Sequence, residues 1–83
     1  MTEQEIVRAM VAGMTDAERE TERVATVARI QTARQCMIEA RRGRRIEEAR
    51  GWAGEYRAQI MALGEITRRR LPIPSLAKCL RMD

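Results

Sequence analysis

The chain has 83 residues with a formal net charge of +4, two Cys and no His. This length allows a single domain that buries only a modest share of its surface. The lack of His and the wide separation of Cys36 and Cys79 argue against a zinc site, and two cysteines cannot form a disulfide framework. Oligomerisation is therefore the stabilising device that we expect.

The composition favours closely packed helices. Ala, Met and Val supply much of the apolar content, Phe is absent, and all but one of the 16 basic residues are Arg. Ala, Arg and Glu are strong helix formers. No apolar run is long enough to span a membrane, and the acidic, polar start is unlike a signal peptide. We therefore expect a cytoplasmic protein with reduced cysteines.

The first predicted helix covers residues 3–12. Thr2 and Glu5 have the spacing of a capping box, and Gly13 follows the expected last turn. Ile6, Met10 and Met14 recur at helical spacing and form one apolar face.

A second helix is predicted over residues 16–42, starting from a capping box of Thr15 and Glu18. Its apolar and small residues recur at alternating steps of four and three, as in a coiled coil, although several are polar. The members of this seam are Ala17, Thr21, Val24, Ala28, Gln31, Gln35 and Ile38. Other faces also carry apolar residues, which is typical of a helix with more than one neighbour.

The third helix is predicted over residues 44–70, ending before Pro72. Its seam is the most regular in the chain: Ile46, Ala49, Ala53, Tyr56, Ile60, Leu63 and Thr67. The two long helices could form either a hairpin or one rod of about 80 Å. We favour the hairpin because Gly43 would cost about 1 kcal/mol inside a helix. In the tail, residues 72–83, Ser75 can cap a short turn that carries Leu76, Cys79 and Leu80. The predicted fold is all-α, a helical hairpin with a short N-terminal helix and a helical tail, assembled as a dimeric bundle.

Two arginine clusters are the candidate partner-binding residues: Arg41, Arg42, Arg44 and Arg45 at the tip of the hairpin, and Arg68, Arg69 and Arg70 at its other end. Guanidinium groups bind carboxylates and phosphates in a planar, bidentate manner. Arg41 and Arg42 would end a helix, where cations suit the helix dipole, whereas Arg44 and Arg45 would begin the next helix and oppose its dipole. The alternative for the first cluster is a solvated tip. The second cluster would also lie near the acidic start of the second helix.

No catalytic pattern is present in the sequence. There is no His, no phosphate-binding loop and no nucleophile elbow, and Glu47 and Glu48 point to different faces of a helix. We expect no enzymatic activity, cofactor, metal or small-molecule substrate. Trp52 and Tyr56 are expected in the core. Gly51, Gly54 and Gly64 weaken the third helix, and either a kink or a close backbone approach could explain them.

These features predict a protein-binding regulator or inhibitor that occupies a partner's surface. Small, basic helical proteins of this class are common in phages and mobile elements, where they block host machinery such as a CRISPR defence complex. The main alternative is a helical-hairpin dimer that binds RNA or DNA, because the chain is basic. However, no aromatic residue lies among the arginines to stack on bases. A third possibility is an assembly chaperone.

Overall fold

The computed structural model describes residues 1–81, and its regular structure is entirely helical in that range. The helices are α1 (Glu3–Ala12), α2 (Asp16–Arg42), α3 (Ile46–Thr67) and α4 (Leu76–Leu80). They contain 79% of the described residues, which confirms the all-α prediction.

The two long helices pack against each other as a hairpin. Val27 in the first half of α2 lies beside Leu63 in the second half of α3, so the helices are antiparallel. The longest dimension of the molecule is 42 Å, close to the length of α2 alone. The hairpin is therefore confirmed. It excludes the alternative of one continuous helix, which would be about 80 Å long at a rise of about 1.5 Å per residue.

The core between the helices is thin because most of its members are small. Its buried apolar residues are Val11, Ala33, Met37, Ala40, Ala49, Ala53, Ile60, Ile66 and Cys79. Met37, Ala53 and Cys79 form a cluster, and the partly buried side chains of Trp52, Tyr56 and Leu80 pack against it. Alanines let the two backbones approach closely, but they contribute little apolar area. Trp52 and Tyr56 thus border the core rather than fill it.

The seam predicted for α3 points inward, but the seam predicted for α2 does not. Within α3, Ala49, Ala53 and Ile60 are buried, and only Ile46, which is 53% exposed, lies in solvent. In α2 the residues that face α3 are instead Thr26, Ala33, Met37 and Ala40. The predicted seam residues Ala17, Thr21, Val24, Ala28, Gln31 and Gln35 are all exposed. At 100° per residue this set, hereafter the outer seam, lies opposite the buried face.

Helix α1 packs on the outer side of α3. Arg8 donates two hydrogen bonds to the Glu65 carboxylate, at 3.2 and 3.3 Å, and Gln4 donates a third at 3.1 Å. Val11 is the buried residue of α1, whereas Ile6 and Met10 of the predicted apolar face are exposed. Both predicted capping boxes are present, at Thr2 and Thr15.

Helix α3 is shorter than the predicted 44–70. It ends at Thr67, where Arg68 adopts a left-handed conformation with φ of 56°. The chain then reverses over Gly64, whose absent Cβ would lie 3.0 Å from the Arg69 carbonyl oxygen. Because Gly64 has no side chain, the reversal occurs three residues before the expected end. Arg68, Arg69 and Arg70 therefore follow the helix instead of forming its last turn.

The tail runs back along the hairpin towards the α2–α3 loop. Arg57 donates a hydrogen bond of 2.9 Å to the Pro74 carbonyl. Ser75 caps α4 by accepting a hydrogen bond of 3.1 Å from the Lys78 amide. Cys79 and Leu80 dock on the core cluster, while Leu76 is 41% exposed. The last two residues of the predicted tail, 82 and 83, lie outside the described residues.

Candidate interaction surfaces

The loop between α2 and α3 has an unusual residue at its left-handed position. The Arg45 amide donates to the Ala40 carbonyl at 2.9 Å, and the Arg44 amide donates to the Arg41 carbonyl at 3.1 Å. This pair of bonds is a Schellman motif, which needs one residue in the left-handed region. Gly43 precedes that position with φ of −80°, and Arg44 occupies it with φ of 58°. The left-handed position is therefore filled by an arginine although a glycine directly precedes it.

The four predicted tip arginines have different environments. Arg41 is half-buried and faces the tail: its Nη1 donates to the Cys79 carbonyl at 3.1 Å, and its Nη2 donates to the Arg81 carbonyl. Its Nε is buried without a hydrogen-bond partner. Arg41, one of the four predicted partner-binding arginines at the tip, therefore does not project into solvent, because its guanidinium holds the tail.

The other three arginines, Arg42, Arg44 and Arg45, are exposed and form what we call the arginine tip. Arg45 pairs with Glu48 on the first turn of α3, at 2.8 Å. Arg42 and Arg44 form no ion pair with a carboxylate among residues 1–81. Ile46 lies next to Arg45, with 53% of its surface exposed. The tip therefore combines unneutralised positive charge with an exposed apolar side chain.

The second arginine cluster, Arg68, Arg69 and Arg70, lies at the opposite end of the hairpin and is also exposed. The expected pairing of this cluster with the acidic start of α2 is not found among the described residues. Glu20 pairs with Arg23 at 2.7 Å, and Glu22 pairs with Arg29 at 3.5 Å, both within α2. Arg68, Arg69 and Arg70 form no ion pair among residues 1–81 and extend into solvent.

Two glycines of α3 lie on an open surface. A Cβ at Gly51 or at Gly54 would meet no atom within 4 Å. Neither a close backbone approach nor a crowded contact within this chain explains them. Gly51 instead borders a shallow depression lined by Glu48, Trp52 and Glu55. Because Gly51 and Gly54 lie away from the regular seam of α3, the sequence also indicated that they lie on its outer face.

The carboxylates that carry electrostatic interactions are all at the periphery. Hydrogen bonds from Arg8 and Gln4 lower the pKa of Glu65. The backbone and hydroxyl of Thr15 lower the pKa of Glu18, and Arg23 lowers that of Glu20. Within residues 1–81, no three His, Cys, Asp or Glu side chains lie close enough together to hold a metal ion. None of the helices in the same range is long and apolar enough to cross a membrane.

Comparison of the chain with protein-family models, with curated protein sequences and with solved structures gives no match.

Proposed function

We propose that this chain is a small, non-enzymatic regulator or inhibitor that binds an acidic surface of a protein partner. The arginine tip supplies the main contact, and Arg68, Arg69 and Arg70 supply a second one at the other end of the hairpin. A blocker of host machinery encoded by a phage or mobile element, for example one acting on a CRISPR defence complex, is the physiological setting that we propose for it.

The observation that carries the proposal is the conformation of Arg44. A left-handed residue other than Gly costs about 1–2 kcal/mol. Gly43 is only one position away, so a shift of one residue would place a glycine where it suits the turn. Arg44 instead keeps its charge at an exposed position of the loop. Arg44 therefore adopts a conformation that is unfavourable for arginine, and no contact in the loop offsets that cost. Such a local conflict supports a role in binding.

The surroundings of the tip favour a protein over a nucleic acid as the partner. Exposed apolar side chains have no use against a phosphate backbone, whereas protein interfaces combine an apolar centre with a polar rim. Ile46 is such a side chain, and it adjoins Arg45. An acidic protein surface with an apolar patch can accept Ile46 and pair carboxylates with the guanidinium groups at the same time.

The test compares two variants that lose the same charge. Arg42→Gln/Arg44→Gln removes the unpaired guanidinium groups of the tip. Arg29→Gln/Arg50→Gln removes two arginines that form ion pairs within their own helices. Both variants and the parent chain are used to capture partners from an extract of the source cell, with and without nuclease.

We expect a protein that is captured by the parent and the lateral control, that is lost by the tip variant, and that resists nuclease. Capture that disappears after nuclease, with a steep loss of affinity as salt rises, would establish nucleic acid as the ligand and contradict the proposal. Equal capture by the tip variant would move the binding surface to the face around Gly51 and Gly54, or to the tail.

A further inference from the structure

The outer seam of α2 has the residue spacing of a coiled coil but no partner among residues 1–81. Val24, in the first half of the helix, is 55% exposed. Ala17, Thr21 and Ala28 beside it are exposed as well. Since the buried face on the opposite side of α2 already contacts α3, the helix has two usable faces and only one is covered.

The two halves of α2 carry net charges of opposite sign. Residues 16–28 carry Asp16, Glu18, Glu20 and Glu22 with only two bases, Arg19 and Arg23, so this half is net acidic. Residues 29–42 carry Arg29, Arg34, Arg41 and Arg42 with one acid, Glu39, so this half is net basic. Two such helices placed parallel would bring like charges together at both ends. Placed antiparallel, each acidic half would face a basic half. A surface that is complementary to itself after a two-fold rotation is what an isologous dimer requires.

The seam itself fits one antiparallel register. When the two-fold axis crosses the outer seam at the level of Thr26 along the helix, Val24 faces the second copy's Ala28, and Thr21 faces the second copy's Gln31. Ala17 then faces the second copy's Gln35 at each end of the interface. In this register the flanking residue Glu20, which also pairs with Arg23 of its own helix at 2.7 Å, lies on the same side of the interface as the second copy's Arg34. Symmetry creates that pair twice. Arg34 is exposed and has no ion pair among residues 1–81.

We propose that the outer seam binds a second copy of this chain, as an antiparallel pair of α2 helices with reciprocal Glu20–Arg34 ion pairs. The small residues of the seam let the two helices approach closely, and the charge pattern fixes their direction. The arginine tips of the two copies then lie at opposite ends of the dimer. This inference does not depend on what the tip binds, and it is tested without any partner.

The first experiment reverses the charge of Glu20 and the charge of Arg34, first in two single variants and then in the double variant. Sedimentation of the full chain over a wide concentration range gives the dimer dissociation constant. Glu20→Arg and Arg34→Glu each create two repulsive pairs, and each should weaken the dimer by about tenfold. The double variant should restore the parent value. Within one chain the two residues are about 21 Å apart along the helix, so restoration can arise only between copies.

Glu47→Arg serves as the control because Glu47 is 89% exposed on α3, away from the outer seam. It should leave the dissociation constant unchanged. Circular dichroism of each variant checks that the monomer remains folded, and Arg34→Glu removes no ion pair of the described chain. A chain that stays monomeric at all concentrations overturns the proposal. A dimer that is indifferent to both single reversals, or a double variant that stays as weak as the singles, also overturns it.

The second experiment determines whether the two α2 helices of the dimer are antiparallel or parallel. All of its variants also carry Cys36→Ala. In the proposed register the two copies of Ala28→Cys are offset by about 6 Å along the axis, and those of Ala17→Cys by about 27 Å. A short thiol cross-linker should therefore join Ala28→Cys dimers and leave Ala17→Cys monomers. Efficient cross-linking of Ala17→Cys would mean parallel helices and would refute the register.

Discussion

Arg41 and Cys79 are joined across 38 residues of sequence, since the Arg41 guanidinium donates a hydrogen bond of 3.1 Å to the Cys79 carbonyl. The same side chain also donates to the Arg81 carbonyl. The arginine that begins the basic run at the end of α2 is thus a structural residue that holds α4 on the core. Its neighbours in the sequence, Arg42 and Arg44, make no such contact with the part of the chain that the structure describes, and they keep their charges in solvent.

Replacement of Arg41 should therefore affect stability, whereas replacement of Arg42 should not. Arg41→Met keeps an apolar stem but leaves two tail carbonyls without their donor. Hydrogen bonds from charged groups contribute about 1.5–3 kcal/mol, and the half-exposed setting places the expected loss of unfolding free energy near the lower value. Arg42→Met, at an exposed position, should change it by less than about 0.5 kcal/mol. Urea unfolding measures both, and equal effects would contradict the assignment.

The left-handed residues predict stabilisation by glycine. Arg44 and Arg68 have φ of 58° and 56°. Arg44→Gly and Arg68→Gly should each raise the free energy of unfolding by about 0.5–1 kcal/mol, because glycine adopts this conformation without strain. Arg42→Gly, within α2, should lower it. If Arg44→Gly raises the free energy of unfolding and also weakens partner capture, the native arginine lowers stability but contributes to binding. If Arg44→Gly lowers the free energy of unfolding, the result would contradict the loop geometry.

The glycines of α3 should divide into two classes when they are replaced by alanine. Gly51 and Gly54 face open space, so each replacement should stabilise the chain by up to about 1 kcal/mol through helix propensity. At Gly64 the new Cβ would lie 3.0 Å from a backbone oxygen, so the same change should be destabilising. Thermal unfolding of the three single variants tests this order, and the three moving in the same direction would show it to be wrong.

Acid should weaken the attachment of α1. The pKa of Glu65 lies below its ordinary value of 4.5, chiefly because Arg8 donates hydrogen bonds to the carboxylate. A carboxyl with a lowered folded pKa contributes stability that is complete above its unfolded pKa and is lost as the pH falls through the folded pKa. Stability should thus decline as the pH drops below 4.5.

Glu65→Gln should reduce that acid dependence, because the amide does not titrate. Glu55→Gln is the control with the same change of charge. Unfolding curves recorded between neutral and acidic pH provide the measurement. An acid dependence that is unchanged in Glu65→Gln would show that the contact between α1 and α3 does not contribute to it.

Much of the fold could be predicted from local sequence. Thr15 and Glu18 mark the start of α2 by their spacing alone, and the regular apolar steps of α3 define its buried face. The hairpin followed from the cost of Gly43 inside a helix. These features depend on residues within a few positions of each other, where backbone geometry and helix period act directly.

The features that sequence did not predict depend on distant residues or on a balance between similar faces. Small apolar residues lie on several sides of α2, so periodicity could not decide whether Met37 or Val24 points inward. The role of Arg41 depends on a tail that returns from nearly forty residues away. The early end of α3 depends on Gly64, whose missing side chain matters only after the chain has reversed over it.

The returning tail also orders the steps by which this chain folds. The α2–α3 hairpin is closed by a loop of three residues, so its contacts are local and form early. Helix α4 has only five residues and cannot persist alone, so it forms on a groove that the hairpin has already built. Partial unfolding from the native state follows the opposite order. The tail opens first, in a partial unfolding that leaves the hairpin intact, and backbone amides of α4 should exchange with solvent long before those of Ala33 and Met37.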